Sequence, residues 1–191
     1  MYIKLIIGWT VYFFIHSLLA SNRVKKNVEQ NMPKLFPYYR IIFNLIAVAG
    51  LLIMINITLS DKKLLFDINS TIKIFSFILF FSGLTVLGIA SKTFDLKEFI
   101  GLKKHQMNAK NKLVTKGIYK YVRHPLYTGT ILVTAGCFLN LPTLSVLVFL
   151  VLTFIYLEIG SRLEEQKLKE EFGNEYIEYC KTVKRYFPFI Y

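Results

Sequence analysis

The chain has 191 residues, 54% hydrophobic, 16% aromatic and only 19% charged, with a formal net charge of +12 and a mean hydropathy of +0.45. A soluble domain needs polar residues along most of its helices to cover its surface. Several long segments here offer no polar face, which excludes a soluble globular protein and makes lipid the solvent. The positive charge flanks the apolar segments instead of forming a stripe, as juxtamembrane Lys and Arg do, which argues against a nucleic-acid partner.

The predicted elements begin with an apolar segment at 3–20. Ala20-Ser21 resembles a signal cleavage point, but Leu18 stands where a small residue is needed and His16 interrupts the run, so an uncleaved membrane helix is expected. Further apolar segments follow at 40–59, 71–91, 125–140 and 143–159, each approaching the ~17–25 residues that span a bilayer. Leu141-Pro142 separates the last two. Proline lacks an N–H donor and suits a helix start, so it ends one helix and opens the next as a tight hairpin. From Arg162 to Cys180, Leu163, Leu168, Phe172, Tyr176 and Tyr179 recur at helical spacing among charges, which predicts an amphipathic helix, or two broken near Gly173. The expected fold is an all-α polytopic membrane domain over 1–191, with five transmembrane helices and this cytoplasmic tail.

Basic residues orient the spans. Arg23, Lys25, Lys26, Lys34 and Arg40 fall between the first two segments, a larger set runs from Lys92 to Arg123, and the tail carries Arg162, Lys167, Lys169, Lys181, Lys184 and Arg185. With five spans these three regions share one side, which the positive-inside rule makes the cytoplasm, leaving the N-terminus outside. Cys137 and Cys180 read as two free thiols, and neither a CxxC nor a Cys/His cluster suggests a metal.

The densest polar and aromatic stretch runs from Asn111 to Tyr127. Pro125 suits the first position of the fourth span and places His124 at its N-cap, where free N–H groups and the dipole favour an anion, with Arg123 adding a fixed charge. Arg, His and Tyr at an interface also serve simply as anchors, and His16 and His105 read as structural. Glu158, the one acid in an apolar span, lies at the cytoplasmic end, where it reaches water. Glu164 and Glu165 open the tail, where acids in a first turn complement the dipole.

Lys112 to Tyr127, then Glu164-Glu165, then Phe172-Gly173-Asn174-Glu175-Tyr176-Ile177-Glu178-Tyr179 and a closing Arg185-Tyr186-Phe187-Pro188 resemble the isoprenylcysteine carboxyl methyltransferase family. The shared pattern is Arg-His-Pro-x-Tyr, a glutamate pair, Phe-Gly-x-x-Tyr-x-x-Tyr and a terminal Pro, over residues 103–190. The resemblance implies an all-helical membrane enzyme that binds S-adenosylmethionine on its cytoplasmic side. Carried over by motif, Asn111, Lys112, Leu113 and Val114 line the cofactor, with Tyr119 nearby. His124, Pro125, Leu126 and Tyr127 continue the pocket and Glu164 closes it.

Members acting on prenylated cysteine carry an Arg aligned near Gly160, whereas here the nearest is Arg162; Arg123, Tyr127 and Arg162 are the catalytic candidates. Phe14 to Ser21 and Tyr39-Arg40 are similar to bacterial relatives that include methanethiol S-methyltransferases. The acceptor therefore stays open between a small thiol and a lipophilic carboxylate, and the expected location is the cytoplasmic membrane of a bacterium or archaeon, in contact with lipid. No Gly-x-Gly-x-x-Gly opens a strand–helix unit, which argues against a soluble Rossmann-type cofactor domain.

Methyl transfer from a sulfonium is a displacement in which alignment matters more than acid–base work. The resemblance implies that Tyr119 and Tyr127 face the sulfonium, that the start of the fourth span or Arg123 holds the methionine carboxylate, and that Glu164 takes the ammonium. No catalytic base is required for an ionised carboxylate, and a thiol of pKa ~8.5 needs only modest help. Two other readings stand beside this one. An NADPH-dependent membrane reductase of the sterol-reductase type shares the tail pattern but has Asn where Pro125 stands, and a non-catalytic membrane protein can keep the same fold.

Overall fold

The computed structural model describes residues 2–93 and 113–188. Asn111, Lys112 and His105, named above, lie outside the described residues. Among the described residues, seven α-helices run in chain order: α1 (Tyr2–Ala20), α2 (Asn22–Asn31), α3 (Tyr39–Leu59), α4 (Ser70–Ser91), α5 (Pro125–Asn140), α6 (Leu144–Phe172) and α7 (Asn174–Thr182). Short 3-10 turns occupy Phe36–Tyr38 and Gly117–Lys120.

Side-chain caps set several helix starts. The Ser21 hydroxyl accepts from the Val24 amide, the Asn69 side-chain carbonyl from that of Ile72 and the Thr143 hydroxyl from that of Val146, each satisfying an N–H that the helix itself leaves unpaired. Thr143, not Pro142, therefore opens α6, and Pro142 stays in the turn.

Among the described residues, four stretches are long and apolar enough to cross a membrane: Tyr2–Ala20, Phe36–Leu59, Ser70–Ser91 and Leu144–Phe172. The fifth expected span, α5, has 16 residues, short of the ~20 that a bilayer core requires of an upright helix. Ile7, Leu45, Leu52, Phe75 and Phe81 stand exposed on the outer faces of α1, α3 and α4. Apolar faces of this extent have lipid as their solvent.

Small residues bring α4 and α5 into backbone contact. A Cβ on Gly83 would lie 2.7 Å from the Gly129 carbonyl oxygen, and one on Gly136 2.7 Å from the Phe80 amide. Helices that share a lipid solvent gain little hydrophobic energy from meeting, so close van der Waals packing holds them. Trp9 joins α1, α3 and α6: it is fully buried, stacks on Phe149 at 4.2 Å and donates through Nε1 to Thr58 Oγ1 at 3.0 Å.

At one end of the helices, Asp61 accepts from the Ser145 hydroxyl at 2.9 Å and from the Tyr2 hydroxyl at 3.4 Å. Beside it, the Leu65 amide donates to the Pro142 carbonyl at 2.7 Å. The Asp61 carboxylate thus ties the start of the chain, the 60–69 connection and the start of α6 together, at the end opposite the site described below.

The expected separation of the last span from a tail helix does not occur. α6 runs unbroken from Leu144 through Phe172, because nothing between Glu158 and Glu171 interrupts the helix, and it stops only at Gly173, whose φ of +54° favours glycine. Glu164 and Glu165 therefore sit deep within a helix and not in a first turn, which removes the dipole as their explanation.

Candidate functional site

Beyond the apolar part of α6, its last turns project from the bundle and meet two other segments. The 3-10 turn at Gly117–Lys120, entered through Gly117 at φ +66°, leads into residues 121–124. These pair side by side with the end of the chain: the Arg123 amide donates to the Lys184 carbonyl at 2.9 Å and the His124 amide to that of Arg185 at 3.1 Å. Pro125 then starts α5 with His124 at its N-cap, as the sequence predicts.

Glu165 is the centre of this junction. Its side chain is only 6% exposed, and its carboxylate accepts from Arg123 at 2.8 and 3.1 Å, from Arg185 at 2.9 and 3.2 Å, and meets His124 Nε2 at 3.1 Å. Arg123 also donates to the carbonyls of Cys180 and Val183. Burial pushes the Glu165 carboxyl up, but hydrogen bonds from His124, Arg185 and Arg123 outweigh it and hold the group well below the usual carboxylate range. For His124, burial favours the neutral ring, yet hydrogen bonds to Glu164 and Glu165 prevail and raise its pKa above the ordinary 6.5.

A second acid extends the network. Glu158 accepts from Arg162 at 2.7 Å, from Arg185 at 2.9 Å and from the Tyr186 hydroxyl at 3.0 Å. Its side chain is 18% exposed, so beyond lying near water it is held by these three partners. Tyr186 is fully buried, shares a 2.6 Å hydrogen bond with Ser161 and offers its carbonyl to Thr128 Oγ1 at 2.7 Å. Residues 184–186 are thereby locked against α5 and α6.

Glu164, next in sequence to the hub, has the opposite setting. Its side chain is 50% exposed and lies 3.5 Å from His124 Nδ1. It accepts from the Tyr127 hydroxyl at 3.0 Å, and the Tyr127 ring stacks on His124 at a centroid distance of 5.2 Å. The two neighbours differ in burial because successive helical residues point about 100° apart.

The structure brings Arg123, His124, Pro125, Tyr127 and Glu164 together. Arg123 is not a spare charge for a ligand: its guanidinium is engaged by Glu165 and two carbonyls. His124, the N-cap of α5, meets both Glu164 and Glu165 through its ring. Arg162 pairs with Glu158 while its side chain stays 65% exposed. Leu126 is half-buried on α5, Leu113 packs against Tyr176, Tyr179 and Val183, and Val114 is exposed. Tyr119 is half-buried, and its carbonyl accepts from the Tyr179 hydroxyl at 2.5 Å.

Sequence reasoning passed over Glu165 and Arg185 as individual residues. The signal lay in the glutamate pair and the closing Arg-Tyr-Phe-Pro, but spacing alone cannot tell which glutamate faces inward. An exposed carboxylate beside a tyrosine, seated on a neutralised and rigid base, suits a cationic ligand.

Residues 69–175 match the phospholipid methyltransferase family. Protein-S-isoprenylcysteine O-methyltransferase B of Arabidopsis thaliana is 33% identical over 95 residues, 49% of this chain and 48% of the plant protein. Methanethiol S-methyltransferase of Crocosphaera subtropica is 41% identical over 81 residues, 41% of this chain and 30% of that protein. Protein-S-isoprenylcysteine O-methyltransferase of Saccharomyces cerevisiae is 32% identical over 112 residues, 56% of this chain and 47% of the yeast protein. The chain thus spans less than half the length of each of these relatives. No solved structure matches it. The family match runs from the cap of α4 into α7, across the whole Arg123–Glu165 junction, and covers more than half of the chain: this integral membrane protein belongs to the phospholipid methyltransferase family.

Proposed function

We propose that the protein is a membrane-integrated methyltransferase that uses S-adenosylmethionine and methylates a small or lipophilic thiol or carboxylate. The observation that carries this reading is the contrast within the glutamate pair. Glu165 is buried and fully engaged by cations, whereas Glu164 is half-exposed and held by Tyr127 at 3.0 Å. A ligand with an ammonium and a sulfonium fits such a place: Glu164 takes the ammonium, and the Tyr127 face attracts positive charge by ~0.5–2 kcal/mol.

Bound there, S-adenosylmethionine supplies a methyl group on a positively charged sulfur. Tyr127 orients Glu164 through its hydroxyl, and His124 braces the Tyr127 ring. Leu113, Val114, Tyr119 and Leu126 would flank the cofactor; Asn111 and Lys112, assigned with them by the family's motif, lie outside the described residues. Arg123 acts as a positioning residue through Glu165, and Arg162 stands at the rim for the acceptor.

In the same reading, α5 is a fifth span: its 16 residues measure about 24 Å at 1.5 Å each, and it packs along α4. The single domain then has the N-terminus outside and the site in the cytoplasm. Tyr127→Ala and Glu164→Ala each abolish S-adenosylmethionine binding by calorimetry in detergent; unchanged affinity in both overturns the site.

A further inference from the structure

The cations of the carboxylate junction are matched by acids of the protein itself: Arg123, Arg162 and Arg185 all pair with Glu158 or Glu165. Elsewhere the balance differs. Between residues 21 and 40, five basic residues face a single acid, Glu29. Lys25 on α2 and Lys167 on α6 are exposed, and neither meets a carboxylate among the described residues.

The fold gathers these cations at one end of the helices. α6 packs against both α1 and α3, and the Ser17 hydroxyl donates to the Tyr156 hydroxyl at 3.0 Å, which fixes α1 on α6. The Tyr39 hydroxyl donates to the Leu19 carbonyl and ties the start of α3 to the end of α1. α2 leaves α1 at its Ser21 cap with Val24 and Val28 half-buried, one turn apart, and with Lys25 and Lys26 exposed. Desolvation, then the positive charges of Arg40 and Lys167, hold the Lys25 ammonium below its ordinary range. Cations from α2, α3 and α6 thus share one neighbourhood, where an anion relieves their repulsion.

The surroundings indicate what kind of anion. Lys25 lies just past the first apolar stretch and Arg40 at the start of the second, the level of lipid headgroups. Met32, Leu35 and Tyr38 stand exposed on the return from α2 to α3. A soluble anion has no use for them, whereas at a membrane surface apolar side chains enter the headgroup boundary while lysines meet phosphates. We propose that Lys25, Arg40 and Lys167 form a binding site for the phosphate headgroup of an anionic phospholipid. Lys25 and Lys167 supply the uncompensated charge, and the half-buried Arg40 adds a fixed one. The site goes beyond the methyltransferase reading and holds whatever the chain methylates.

The test uses the full chain in dodecylmaltoside, with native mass spectrometry counting the lipids it retains from equal amounts of phosphatidylglycerol and phosphatidylcholine. The parent is expected to retain phosphatidylglycerol in preference. Lys25→Gln and Lys167→Gln each lower its affinity about fivefold and leave phosphatidylcholine retention at the parent level, while Lys25→Arg and Lys167→Arg keep the preference. Lys62→Gln with Lys63→Gln removes charge at the other end of the helices and leaves phosphatidylglycerol affinity unchanged. Folding is checked by thermal unfolding: the glutamine variants match the parent Tm without lipid, and phosphatidylglycerol raises the Tm of the parent but not of the double variant. A parent without the preference, an equal loss from the Lys62 and Lys63 substitutions, or full competition by soluble glycerol 3-phosphate, which marks a free-anion site, overturns the proposal.

Discussion

Glu165→Gln tests the architecture of the junction directly, because the substitution preserves shape and removes only charge. Glu165 is 6% exposed and serves Arg123, His124 and Arg185, whose side chains are themselves largely buried. Breaking a buried ion pair from one side costs about 3–5 kcal/mol, since the partner's charge remains without compensation. Two contacts soften that figure here: Arg185 keeps Glu158, and Arg123 keeps the carbonyls of Cys180 and Val183. The expected loss is about 2–4 kcal/mol, or roughly 5–15 °C in Tm for a chain of this size. Glu164→Gln provides the contrast, because a half-exposed carboxylate with one tyrosine hydrogen bond contributes about 1 kcal/mol or less. Thermal unfolding in detergent with a thiol-independent fluorescence readout measures both. Equal shifts for the two variants, or a Glu165→Gln protein as stable as the parent, would refute the assignment of Glu165 as the structural member of the pair.

The pH dependence of stability has a definite sign. His124 has a folded pKa above its ordinary 6.5, so its contribution is complete below that value and fades as pH rises through the folded one. Glu165 is held low, so its contribution is complete above the ordinary 4.5 and fades only on acidification through the folded value. The Tm in detergent is expected to fall from about pH 6.5 upward, and His124→Gln flattens that limb; an unchanged alkaline limb contradicts the network. The orientation is checked by cysteine labelling in a chain freed of Cys137 and Cys180. Lys26→Cys and Lys181→Cys react with an impermeant maleimide only from the cytoplasmic face and Lys62→Cys only from the other, and the reverse pattern inverts the topology.

The sequence by itself determined the solvent and most of the helices. Long runs without a polar face have no soluble solution, and helix boundaries at Pro125 and Gly173 follow from local signals, whereas the Asn69 and Thr143 caps emerge only in the structure. The motif stretch and the glutamate pair were also legible, because their residue types and order are a linear pattern. Tertiary structure alone decided what each residue does there. Glu164 and Glu165 are neighbours in the chain, but one faces the opening and the other receives Arg123 and Arg185 from segments that arrive only when the chain end docks beside residues 122–124. Arg123 reads as a free charge in the sequence, and the fold commits it to an internal carboxylate. A cavity that opens between α1 and α3 has no linear signature at all, since apolar residues that line a cleft and those that face lipid are the same residue types.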